Sequence, residues 1–260
     1  MPEVAFWRPE MILAGGKKMN TSAFKYSVRL PVAARAVKLD SLSSKFLATL
    51  DALTHIDPSV FPDWEVGDLP AMKGYPLAAA RSRIARIIEH NISRDDLGRP
   101  EREGGYTAVA HTTIGARSHR MTLWVDRWNG WLNAGDQMVA PDPAIVTYAL
   151  FRSALLTINA IWQQQWACVQ AFRVDYHEVP LYAGAALFPY SRFHIPWIAY
   201  LGPSLLDGPV SSPDIKTENT LDGGLLMTAT EERLDPTNPD HLHRARILAE
   251  TMMARTGLSS

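Results

Sequence analysis

Apolar residues recur at helical spacing in several stretches of the chain and alternate with period two in others, so the pattern predicts both helices and strands. Residues 40–55 set Leu42, Phe46, Leu47, Leu50 and Leu53 on one stripe, the spacing of a helix with a single buried face. Asp40 or Ser41 is its expected N-cap and Asp57-Pro58 its stop, since a proline disfavours helical backbone in the residue before it. A second helix is expected over 77–91, with Leu77, Ile84, Ile87 and Ile88 inward and Arg81, Arg83 and Arg86 outward. Residues 143–163 are apolar nearly all round, which predicts a central, largely covered helix. Strands are expected over 22–29, where Phe24, Tyr26 and Val28 share a face, and over 106–114 and 120–128. Residues 166–174 read as a strand buried on both faces apart from Gln170 and Arg173. The prolines and glycines of 59–76 predict a packed loop, and Asn129-Gly130, between Trp128 and Trp131, predicts a turn.

The most closely specified stretch is 193–254. It reads as an apolar strand, a polar link, a hairpin closed at Asp222-Gly223-Gly224, a second strand over 225–230 and a helix. Glycine reaches the positive φ that a tight hairpin needs. Thr237 or Asn238 can accept from the first free amides of the helix, with Pro239 where its missing N–H costs least. The expected fold class is therefore α+β, with antiparallel or mixed β-sheet(s) packed with several α-helices and a C-terminal β-hairpin followed by a capped helix. Residues 1–20 read as an irregular leader and 21–260 as a single domain, a two-lobed division near 130–142 being the alternative. The polar, Gly-rich segment 93–105 is the expected mobile loop.

Charge adds one feature. The net charge is −1 and the pI about 6.7, so no global field draws the protein to nucleic acid or to an anionic membrane, and neither is an expected partner. Residues 175–240 nevertheless hold ten acidic and three basic side chains, either a solvated face or a docking surface for a cationic partner. The lone Cys168 cannot form an intramolecular disulfide, and a cytoplasmic location is expected. No run approaches the roughly 18 apolar residues of a membrane span, and the first twenty residues lack the regions of a secretory signal.

Chemistry-bearing patterns are incomplete. His111-Thr112-Thr113 has the His-x-Thr form of two-histidine phosphoesterases, whose chemistry needs a second copy, and the contexts of His119 and His194 do not supply one. His177-Glu178 with Tyr182 and His241-x-His243 invite metal ligation, but residues two apart on a helix face different directions. Nucleophile elbow, P-loop, dinucleotide-binding and zincin motifs are absent from the sequence. Cys168 sits in an apolar strand pattern, the setting of an inert thiol. No catalytic residue, metal or cofactor is expected.

Four segments carry a resemblance. LATLDALTHIDPSVFPDW (47–64), WIAYL (197–201), LDGGLLMTATEE (221–232) and NPDHLHRARILAE (238–250), in this order and spacing, resemble the immunity proteins of family 52 in bacterial polymorphic toxin systems. That family includes immunity proteins paired with type VI secretion effectors carrying a restriction-endonuclease-like nuclease domain. The resemblance implies a cytoplasmic α+β protein that binds a cognate nuclease toxin and blocks it over an interface of about 1,600 Å², with no catalytic residues to carry over. Nuclease sites hold phosphate and are electropositive, so an inhibitor tends to offer carboxylates. On that basis Asp207, Asp214, Glu218, Asp222, Glu231 and Glu232 are the expected partner-binding residues. Exposed strand edges leave a homodimer open. The alternative is an uncharacterised hydrolase or phosphoesterase using His111 and nearby polar groups.

Overall fold

A computed structural model describes residues 24–31, 38–94, 97–100, 105–113, 119–125, 129–134, 143–173, 194–208 and 212–256. Its strands are β1 (Phe24–Pro31), β2 (Trp64–Asp68), β3 (Lys73–Pro76), β4 (Ala108–Thr113), β5 (His119–Val125), β6 (Asn129–Ala134), β7 (Trp166–Arg173), β8 (His194–Leu201), β9 (Lys216–Asn219) and β10 (Leu225–Thr228). They join in one sheet of order β3-β2-β4-β5-β6-β1-β7-β8-β10-β9. Every pairing is antiparallel. The helices are α1 (Leu39–Ile56), α2 (Leu77–Ala80), α3 (Ile84–His90), α4 (Tyr148–Trp162) and α5 (Pro239–Thr256). The chain is α+β, as its patterning predicts.

The sheet is built around β1, which pairs with β6 on one side and β7 on the other. Tyr26 and Val28 are buried on one face of β1 and Lys25, Ser27 and Arg29 on the other, so a centrally placed strand is covered on both sides. α1 and α4 pack against each other, and α4 packs on β1, β7 and β8. Trp162 Nε1 of α4 donates to Thr49 Oγ1 of α1 at 2.9 Å, giving a buried indole N–H a partner. Between α4 and the sheet Trp197 is fully buried, edge-on to Tyr26 at 5.8 Å and close to Phe151 and Tyr148. Its Nε1 donates to Thr230 O at 2.8 Å, which ties β8 to the segment leaving β10. α5 packs along β8 and buries His241, Leu242, Ala245, Leu248, Ala249 and Met252.

Several local expectations are corrected. α1 has Lys38 at its N-cap, with no side-chain cap from Asp40 or Ser41; Leu42 N donates to Lys38 O instead. The packed loop expected over 59–76 contains the β2–β3 hairpin. Its prolines sit before β2, between the two strands and at the last position of the edge strand β3, places that a sheet tolerates. Gly67 in β2 is needed for close approach, since a Cβ there would lie 2.8 Å from Val109 Cγ1. Asn129-Gly130 is not a turn; it opens β6, which pairs with both β5 and β1. Trp128 lies outside the described residues. Gln170, expected as a polar exception in β7, is fully buried opposite Ser27 and donates to its Oγ. The helix expected over 77–91 is split by a 3-10 turn at Arg81–Arg83. α4 starts at Tyr148, capped by Thr147 Oγ1, which accepts from Leu150 N.

Candidate interaction surface

The polar link before Asp222 contains an edge strand. β9, all four residues exposed, pairs with β10, which in turn pairs with β8. The connection is a three-residue hairpin loop, 221–223. Thr220 O accepts from Gly223 N, Gly224 O accepts from Thr220 N, and Gly223 takes φ +82°, the left-handed third residue that such loops use. Asp222 holds this turn together. Its Oδ1 accepts from Thr220 Oγ1 at 2.5 Å and Gly224 N at 3.2 Å, and its Oδ2 from Tyr200 Oη at 2.7 Å. The Thr220 and Tyr200 hydroxyls lower the Asp222 pKa below the ordinary carboxylate range. Burial, then the bond to Asp222, pushes the Tyr200 phenol up to about 12, with the Asn159 amide opposing them.

The six expected acidic residues do not form one uniform patch. Glu218 on β9 is ion-paired with Arg152 of α4, Glu231 with Lys216 of β9, and Glu232 Oε2 lies 3.8 Å from His241 Nε2. Asp207 and Asp214 carry no ion pair among the described residues, although the Asp207 backbone carbonyl accepts from Arg255. Asp214, Glu218, Asp222 and Glu231 are strung along the β9 hairpin, whereas Asp207 follows the turn Pro203–Leu205 after β8. Arg152 and Arg255 come from outside the acidic stretch, so the surface is less negative than the local sequence count suggests.

A cleft of about 380 Å³ opens beside Asp222. Residues 163–165 after α4 form one wall, Gly202 and Ser204 another, and Asn159, Tyr200 and Asp222 line it as well. Gly202 N donates to Gln165 O at 2.6 Å, holding the two walls together. Gln163, at φ +53°, is the left-handed C-cap that ends α4 here. Asn159 is buried, and its Oδ1 has no hydrogen-bond partner among the described residues. Nothing in the sequence pattern marks this cleft except the Asp-Gly-Gly turn, because Asn159 and Tyr200 read as interior positions of a helix and a strand.

Elsewhere, His111 Nε2 lies 3.2 Å from Glu65 Oε2 on the neighbouring strand. Its cross-strand partner in β5 is Thr122, and an imidazole held beside a carboxylate is the arrangement a general base uses. His177, Glu178 and Tyr182 lie outside the described residues, as does the side chain of His119. His241 is buried, its Nδ1 accepting from Asp235 N, while His243 is exposed; the two do not converge. Burial, opposed by Arg29, pushes the Cys168 thiol up to about 12, as expected of an inert cysteine. On the basic edge of 77–91, Arg81 is bonded to both Asp51 carboxylate oxygens and Arg83 stacks over Tyr75. Two of its three guanidinium groups are thus engaged within the protein. Among the described residues no helix is long and apolar enough to cross a membrane.

No protein-family model matches the chain, and no curated protein matches it. Among solved structures it is loosely similar to the Pseudomonas aeruginosa T6SS protein PA0821, with a TM-score of 0.45 and 10% identity over 91% of this chain and 73% of that one. It is also loosely similar to the duplicated taurocyamine kinase from Schistosoma mansoni, with a TM-score of 0.33 and 12% identity over 92% of this chain and 34% of that one. Neither likeness bears on function.

Proposed function

We propose that this protein is a cytoplasmic immunity protein that binds and neutralises a cognate bacterial nuclease toxin, of the kind delivered by type VI secretion, by contact rather than by turnover. The observation that carries the reading is the ordered series of motifs resembling family 52. These motifs fall on α1 and its C-terminal stop, on β8, on the turn and strand of the β10 hairpin and on α5. They belong to elements that set shape, as suits a protein whose job is to present a surface. The exposed acidic side chains around β9 supply carboxylates complementary to a phosphate-binding surface. Coexpression tests this directly. The chain should restore growth to cells expressing the nuclease encoded beside it, and the two should copurify. Persistent toxicity with no complex would sink the reading.

One observation favours a second reading, the His111–Glu65 pair, which a hydrolase or phosphoesterase would use as a base. Such an enzyme would turn over a phosphoester substrate and lose that turnover in His111→Ala.

A further inference from the structure

The cleft beside Asp222 has the electrostatics of a cation receptor. Of the described residues lining it, Asp222 has the one formal charge, and its three hydrogen-bond donors hold the carboxylate ionised and fixed in direction. The C-terminal end of α4 borders the same space, adding the negative pole of a helix dipole. The remaining lining offers amides, hydroxyls and an aromatic ring: residues 163–165, Ser204, Asn159 and Tyr200. Asn159 Oδ1 adds a buried acceptor that lacks a donor. At about 380 Å³ the space lies within the usual range of small-ligand sites and is large enough for one long side chain.

We infer that this cleft receives the guanidinium or ammonium head of a basic side chain from a partner protein, with Asp222 as its counter-charge. The inference rests on the proposed function for the identity of the partner, since a nuclease surface that holds phosphate is rich in arginine and lysine. The cleft's preference for a cation stands on its own geometry. Arginine fits better than lysine, because a planar fork can bond a carboxylate and a neighbouring amide oxygen together.

The test uses the full chain and N-acetyl-arginine methylamide as probe, with the neutral isostere N-acetyl-citrulline methylamide as control, followed through backbone amide NMR shifts. Saturable shifts are expected at 163–165, 202, 204 and 222–224 with the arginine probe and not with citrulline. Asp222→Asn should weaken binding by about tenfold or more. Ser204→Arg, which puts a fixed cation at the rim while leaving Asp222 and its turn intact, should abolish it. An absent titration, equal responses to both probes, or a Ser204→Arg protein that binds as the parent does would each overturn the assignment. Growth rescue with no probe binding would leave the immunity reading standing without this anchor. Probe binding with no rescue would uphold the receptor and reject its assigned partner.

Discussion

Single residues around the C-terminal turn are held more tightly than their exposure suggests. A Cβ on Gly224 would lie 2.6 Å from Tyr200 Cε2, 2.7 Å from its hydroxyl and 2.8 Å from Leu201 O. Gly224→Ala must therefore push a buried ring and a strand carbonyl, at an expected cost of about 1–3 kcal/mol, read as a lowered urea midpoint with an unchanged slope. The buried phenols make a second prediction. Burial pushes Tyr26 up to about 12, and Tyr200 reaches about 12 as well, against 10.0 for a free phenol. A raised folded pKa gives stability that is complete below pH 10 and is lost as pH rises through 12. Two of the eight tyrosines should thus ionise only as the protein unfolds, visible as tyrosinate absorbance rising together with loss of circular dichroism. Smooth ionisation of all eight in an intact fold would contradict the burial of Tyr26 and Tyr200. Asp222 works in the opposite direction: its depressed pKa contributes stability above the ordinary carboxylate range that is lost as pH falls through the lowered value.

At the scale of elements, α5 depends on how it begins. Asn238 Oδ1 accepts from Asp240 N at 2.9 Å, and Asn238 O accepts from Leu242 N at 3.1 Å. Thr237 instead turns its N–H and hydroxyl to Asp235, so of the two expected caps Asn238 is the one in place. Asn238→Ala should cost about 1 kcal/mol, and Thr237→Ala clearly less. Thermal melts of the two variants would check the order, and an equal or reversed loss would remove Asn238 from this role. The sheet edges are guarded. β3 and β9 are four residues each, largely exposed, and carry Lys73 and Pro76 or Lys216 and Glu218, which disfavours edge-to-edge pairing. A homodimer built on these edges therefore has little physical support.

At the scale of the whole molecule, folding redistributes charge. Arg152 reaches Glu218 across 66 positions of sequence and Arg255 reaches the Asp207 carbonyl across 48. The acidic residues then differ in what they can offer a partner. Glu218 and Glu231 are ion-paired, while Asp207 and Asp214 carry no ion pair among the described residues. Reversing Asp207 and Asp214 together should weaken nuclease binding and flatten its salt dependence. Reversing Glu218 and Glu231 should do less, because exposed pairs already spend most of their field on each other. Equal effects from the two sets would refute this division.

What the sequence determined by itself is what nearby residues decide. The stripe on α1, the stop at Asp57, the shared face of Tyr26 and Val28 on β1, the Gly223 turn and the cap at Asn238 were all legible, because each depends on contacts within a few positions. Sheet membership was not. β2–β3 lay hidden among prolines, β6 behind an Asn-Gly pair and β9 within a polar link, since a short strand is stabilised by the neighbour it pairs with and not by its own composition. The burial of Gln170 followed from a place between two strands, beside Ser27. The cleft of Asn159, Tyr200 and Asp222 exists only because a helix end, a strand end and a turn meet. Only the tertiary structure decides which distant groups face one another, and it is there that charge and shape become a surface another molecule can recognise.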